Sequence, residues 1–252
     1  MIASRAWLIV LLAALTANAA PLIFQSSERQ TSLLELYTSE GCSSCPPAET
    51  WLGQLKDSPG LWINFVPVAF HVDYWNSLGW RDPWSKAEFS DRQRAYAQAW
   101  RSENIYTPEF VLDGQEWRHG LWQKSVPAAA ESNAGLLTVS SAGTNRWEVT
   151  FVPAQKEKLI YEIHAALLVS GVSSDVKAGE NAGRQLKHDF AVIAFTELPL
   201  LSRSNFFQST FVLVAAPKKS EGRLALAVWI AANGKTGPVQ AVGGWLTNPG
   251  KK

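Results

Sequence analysis

"YTSEGCSSCPPAETWLGQL", residues 37–55, holds both cysteines of the chain, Cys42 and Cys45, two residues apart. Its reading decides the first half of the fold. The residues before it, "SLLELYTS" (32–39), form a short apolar run that predicts a buried strand. The residues after it, "PPAETWLGQLKD" (46–57), place Ala48, Trp51, Leu52 and Leu55 on one helical face. Prolines suit a first helical turn, where a missing N–H costs little. The cysteine pair therefore sits at a strand-to-helix junction.

That position matters chemically. At the start of a helix, unpaired backbone N–H groups and the positive end of the helix dipole stabilise a thiolate. The thiolate is the nucleophile of thiol chemistry. A second cysteine one turn along can attack a mixed disulfide and release the substrate. Cys42 is thus the candidate attacking sulfur, expected to be the more exposed, and Cys45 the resolving one. Two other readings stay open. A structural disulfide closing about 4 residues contributes only about 2 kcal/mol in the loop-entropy model, a weak staple. A structural zinc site needs four protein ligands. The chain has no second cysteine pair, and His71, His119, His164 and His188 do not cluster by spacing, so no metal ligand set is expected. A two-thiolate site for a soft ion such as Cu(I) remains a rival, as does a non-catalytic interaction module.

Working outward, "LWINFVPVAFHV" (61–72) predicts a second buried strand, and Ser85-Lys86-Ala87-Glu88 a capping box ahead of a helix carrying Phe89, Tyr96 and Trp100. "PEFVLDGQEWRHG" (108–120) predicts two strands joined at Asp113-Gly114. "LWQKSVPAAAESN" (121–133) predicts a closing helix. After Ala134 the pattern becomes strand-like in six runs from Gly135 to Gly234, separated by Gly, Asn, Ser and Pro, which predicts an antiparallel sandwich-like domain.

The start of the chain carries Arg5, an apolar run from Ala6 to Leu15, and Ala17-Asn18-Ala19. This predicts a cleavable secretory signal over residues 1–19 and a secreted, periplasmic protein with no stable membrane span after cleavage. Removing it takes away one base and no acid, which leaves 22 of each. A near-neutral chain without basic runs has no electrostatic footprint for nucleic acid.

Thr107-Pro108 directly precedes the strand "EFVLD". With the cysteine pair between strand and helix, this arrangement resembles the thioredoxin fold. The resemblance implies a cis Thr107-Pro108 turn lining a substrate groove against Cys42 and Cys45. Gly41-Cys42-Ser43-Ser44-Cys45 departs from the usual Trp-Cys-Gly-Pro-Cys, and the long gap to Pro108 implies an insertion. A wider resemblance rests on "LELYTSEGCSSCPPAE", "AFHVDYWNSLGWRDPW", "RQRAY", "YTPEFVLDG" and "GRQLKHDFAV". These strings resemble a family of secreted bacterial proteins of unassigned function with an N-terminal thioredoxin-like domain. The expected architecture is an α/β thioredoxin-like domain over 31–133, a mixed sheet with helices on both faces. An all-β sandwich-like domain over 134–247 follows. The expected activity is thiol–disulfide exchange with a partner protein through a transient mixed disulfide, without a cofactor.

The insertion "HVDYWNSLGWRDPW" (71–84) leaves the C-terminal end of the second strand, beside the cysteines if the crossover is right-handed. His71 would then lower the Cys42 pKa, whereas Asp73 or Glu40 would raise it. Trp75, Trp80 and Trp84 either wall a groove beside the thiols or belong to an ordered loop that packs its aromatics onto the core, with Asp82 capping the following helix. Arg184 and His188 either reach the site from the second half or, the favoured reading, lie in a solvated loop.

Overall fold

The computed structural model describes residues 20–118, 127–155, 159–214 and 222–246. From the N-terminal side, β1 (Ile23–Gln25) precedes β2 (Ser32–Thr38), and α1 (Pro46–Gln54) leads to β3 (Phe65–His71). α2 (Ala87–Trp100) is followed by a short hairpin, β4 (Glu109–Leu112) and β5 (Gln115–Glu116). Then come β6 (Gly135–Ser141), β7 (Arg146–Pro153), β8 (Tyr161–Ser170), β9 (Val172–Asp175) and β10 (Gln185–His188). β11 (Ala191–Ser202), β12 (Phe207–Val212), β13 (Arg223–Ala232) and β14 (Pro238–Trp245) complete the described strands.

Twelve of these strands form one mixed sheet in the order β1-β6-β7-β12-β11-β3-β2-β4-β5, with β8 beside β11, β13 beside β8 and β14 beside β13. β9 and β10 pair with each other. β2 and β3 run parallel, from Ser32 opposite Phe65 to Thr38 opposite His71. β3 also runs parallel to β11, where Ala69 faces Ala191. β11 is the hinge of the sheet. It pairs with β8 along most of its length and passes to β12 at Leu201 and Ser202.

This architecture corrects the expected fold class. An α/β thioredoxin-like fold with helices on both faces, followed by an all-β sandwich, is overturned by the twelve-stranded mixed sheet and by the short length of α1 and α2, 9 and 14 residues. The physical reason lies in β8, β11 and β13. The runs "AALLV", "AVIA" and "ALAVWIA" are buried with little alternation, so both of their faces need cover. Such strands belong in the middle of a large sheet rather than in a half-solvated one. β8 accordingly feeds two apolar clusters. Ala166 and Leu168 pack with Phe70, Phe89 and Trp229, while Ile163, Leu167 and Val169 pack with Val149, Phe151 and Val228.

Several local expectations meet a different physical solution. α2 begins without a side-chain cap. The Ser85 hydroxyl is instead engaged in the preceding loop, donating to Asp82 O and accepting from Asn76 Nδ2. α2 is held to β2 by a buried charge contact: Arg92 reaches both Glu35 oxygens at 2.7 and 3.0 Å, and the Tyr96 hydroxyl also donates to Glu35. Charge-assisted bidentate contacts of this kind are stronger than neutral ones. At the β4–β5 turn Asp113 and Gly114 both have positive φ, 51° and 81°, as the Asp-Gly pair leads one to expect. A Cβ on Gly114 would collide with the Gly237 backbone. Residues 127–134 are not helical, and the rest of the predicted closing helix, like the predicted signal, lies outside the described residues. No helix among the described residues is long and apolar enough to cross a membrane.

Candidate functional site

The site begins where β2 ends. Cys42 and Cys45 form a disulfide with Cα atoms 5.4 Å apart. Cys45 is the N-cap of α1, and its carbonyl accepts from Ala48 N and Glu49 N at 2.9 and 3.2 Å. Both sulfur residues are 0% exposed, so the expected exposure of Cys42 is not what the fold provides. Ser43 and Ser44 between them are exposed. The loop from β9 to β10 packs against the backbone of the cysteine turn. Asn181 donates to the carbonyls of Glu40 and Cys42, both at 2.9 Å, and Glu180 accepts from Ser43 N at 3.0 Å. Arg184 in turn donates to Asn181 Oδ1 at 2.6 Å.

Beneath the disulfide lies a buried network of two histidines and three carboxylates. His188, at the end of β10, places Nδ1 2.6 Å from Glu49 Oε2 and Nε2 2.9 Å from Glu40 Oε1. Thr38 donates to Glu49 Oε1 at 2.7 Å, and Trp80 Nε1 donates to Glu40 Oε2 at 2.7 Å. His71, at the end of β3, places Nδ1 2.7 Å from Asp82 Oδ2. Asp82 also accepts from Glu40 N and Trp84 N, both at 2.8 Å. The two imidazole rings meet edge to face with centroids 5.1 Å apart.

Charge follows geometry. Burial pushes His188 down, but Glu49 and Glu40 outweigh it and raise its pKa to about 10. Burial pushes Glu49 up, yet His188 holds it below the ordinary carboxylate value. Likewise burial works against charge on His71 and Asp82, and each overcomes it through the other: His71 is raised and Asp82 lowered. The network is thus an array of buried ion pairs, in which each charge depends on its neighbour.

The sequence candidates fall into two groups. Glu40 and His71 join the buried network, and so do Trp80 and Trp84, the latter with its ring 5.8 Å from that of His188. Asp73 instead turns towards α2, where its backbone and carboxylate bond the Ser90 hydroxyl at 3.0 and 2.5 Å. Asp82 caps no helix; it serves His71. The Thr107–Pro108 peptide is cis, and Thr107 Oγ1 accepts from Trp75 Nε1 at 2.8 Å. Trp75 leans on Gly41, where a Cβ would approach the tryptophan Cβ to 3.0 Å.

Sequence reasoning missed Glu49, Glu180 and Asn181, and favoured a solvated loop for His188. His188, read as solvated, is 1% exposed. A signal was present in the period-two pattern of "QLKH": Leu186 and His188 share the inward face of β10. A polar residue on such a face needs a buried partner.

Comparison with solved structures gives two similar chains. An X-ray crystal structure of protein AGR_C_4864 from Agrobacterium tumefaciens has 22% identity and a TM-score of 0.59, covering 90% of this chain and 98% of that one. A structure of HBP35 of Porphyromonas gingivalis has 14% identity and a TM-score of 0.55, covering 87% and 76%. At these identities the likeness is one of fold. No curated protein matches the chain. Residues 33–231, which include both cysteines and the two histidines and three carboxylates of the network, match a family model, and the chain belongs to that family, Protein of unknown function (DUF1223).

Proposed function

We propose that this protein exchanges thiols and disulfides with a partner protein outside the cytoplasm, through Cys42 and Cys45. The observation that carries the reading is the disulfide itself, closed between Cys42 in the turn after β2 and Cys45 at the N-cap of α1. When it opens, the positive end of the α1 dipole favours the freed thiolate, while Pro46 and Pro47 have no N–H to offer and Ala48 N and Glu49 N already serve Cys45 O. Reaction with a partner dithiol is a balanced exchange. A partner thiolate attacks Cys42 Sγ, the Cys42–Cys45 bond breaks, and Cys45 leaves with the electron pair. The second partner thiol then attacks the mixed disulfide, so the partner is oxidised and the pair reduced; the reverse sequence reduces a partner disulfide. Because both sulfurs are buried, the Glu180–Asn181 loop has to move aside before a partner can reach Cys42.

The test is a redox titration together with trapping. The reading expects a reduction potential above about −300 mV, the region below which structural disulfides lie. It also expects a mixed disulfide on Cys42 recovered from Cys45→Ser. A lower potential with no exchange on a model disulfide would sink it.

A further inference from the structure

The buried His71 ring has one nitrogen with a clear partner and one without. Nδ1 contacts Asp82, whereas Nε2 is buried and has no hydrogen-bond partner. An orphaned buried polar atom calls for an explanation, and a bound ion is one of the few available. Around it, one ligand atom each from His71, His188 and Glu49 lie within 4.8 Å of one another. We propose that His71 Nε2, His188 Nδ1 and a Glu49 carboxylate oxygen bind a divalent transition cation of the Zn2+ type.

The supporting arrangement is already in place. A histidine ligand ordinarily hands its other ring N–H to a carboxylate or carbonyl, which fixes the tautomer and raises the basicity of the metal-facing nitrogen. Both rings meet that condition. His71 Nδ1 faces Asp82 at 2.7 Å, and His188 Nε2 faces Glu40 at 2.9 Å. Glu49 is oriented too: Thr38 occupies Oε1, which leaves Oε2 towards His188. Two imidazoles and a carboxylate suit Zn2+, Cu2+, Fe2+ or Ni2+ better than the oxygen-loving Ca2+ or Mg2+. Three protein ligands also leave a coordination position open, as catalytic rather than structural zinc sites do. Ligand atoms about 2.0–2.1 Å from a tetrahedral ion lie roughly 3.3 Å apart, so His188 Nδ1 and Glu49 Oε2, now 2.6 Å apart, open slightly while His71 Nε2 closes by about 1.5 Å at most. The ion takes the place of two protons, the one between His188 Nδ1 and Glu49 Oε2 and the one on His71 Nε2, and both leave to solvent.

This site uses no sulfur and does not rest on thiol exchange. It is tested on the full chain, stripped with a chelator and with the disulfide intact, by titration with Co2+ followed by competition with Zn2+. One Co2+ per chain is expected, with visible absorption and two exchangeable, paramagnetically shifted imidazole N–H resonances, one for each histidine. Glu49→Gln and His71→Gln should each weaken binding by at least about 100-fold, and Asp82→Asn by about 10- to 100-fold. The double variant Cys42→Ser/Cys45→Ser should bind within about threefold of the parent. Should a variant fail to fold, the two N–H resonances of the parent chain decide. Absence of stoichiometric uptake at roughly 100 µM metal would overturn the proposal. So would affinity unchanged in the folded Glu49→Gln and His71→Gln variants, or binding lost with the cysteines.

Discussion

His188 Nδ1 lies 2.6 Å from Glu49 Oε2, although 139 residues separate the two in the chain. Both residues are buried, and the same imidazole reaches Glu40 through its other nitrogen. Replacing a buried ion pair with apolar groups is often neutral, but removing one partner strands the other charge. His188→Leu therefore leaves two carboxylates facing each other without a cation. It should destabilise the protein by about 3–5 kcal/mol, read from urea denaturation at neutral pH. The triple variant His188→Leu/Glu49→Leu/Glu40→Gln should recover part of that loss. If the single variant loses less than about 1 kcal/mol, the network carries little charge.

The disulfide predicts a much smaller effect on stability. It closes a loop of about 4 residues, for which chain entropy gives about 2 kcal/mol. Reduction should leave the protein folded, with a modest fall in the urea midpoint and no change in far-ultraviolet circular dichroism. Global unfolding on reduction would mean that the pair is a structural clasp.

These contrasts show which parts of the molecule the sequence exposes. The cysteine junction, the Asp113–Gly114 turn and the strand before the cysteines are local, and local periodicity announces them. His188 meeting Glu49 is not local. It follows from the parallel pairing of Ala191 with Ala69, which carries the end of β10 across to the end of β3. No spacing rule encodes that register. The same pairing joins β3 of the first half to β11 of the second within one broad sheet. The apolar runs of β8, β11 and β13 recorded burial on both faces, but not which strands would lie beside them.

Glu109 supplies a pH dependence separate from the histidine network. It is 3% exposed and accepts from Gln93 Nε2 at 2.6 Å. Burial raises its pKa from 4.5 to about 7. Between those values the folded chain holds a proton that the unfolded chain has lost, so stability falls as pH rises. The contribution is fully present below the unfolded value and lost as pH rises through about 7, on the order of 3 kcal/mol in all. Glu109→Gln removes this titration. The difference in stability between parent and variant should therefore shift in the variant's favour from pH 5 to pH 8, measured by denaturation at each pH. A difference independent of pH would place an ordinary carboxylate there.

Access to the sulfurs is the last matter that a substitution can decide. Asn181 holds the carbonyls of Glu40 and Cys42 through one amide nitrogen, and Arg184 holds Asn181 in place. If this contact gates access to Cys42, the rate of reduction follows its local opening equilibrium. Each lost hydrogen bond shifts that equilibrium by about 1 kcal/mol. Asn181→Ala should thus speed reduction of the Cys42–Cys45 bond by dithiothreitol by about tenfold or more. Glu180→Ala, which frees the exposed Ser43 N–H, should act more weakly. The far side of the sheet offers a control: Arg146→Ala, at an exposed contact with Thr210, should leave the rate unchanged. Equal rates in all three variants and the parent would mean that the Asn181 loop does not gate the pair, and that attack on Cys42 follows another route.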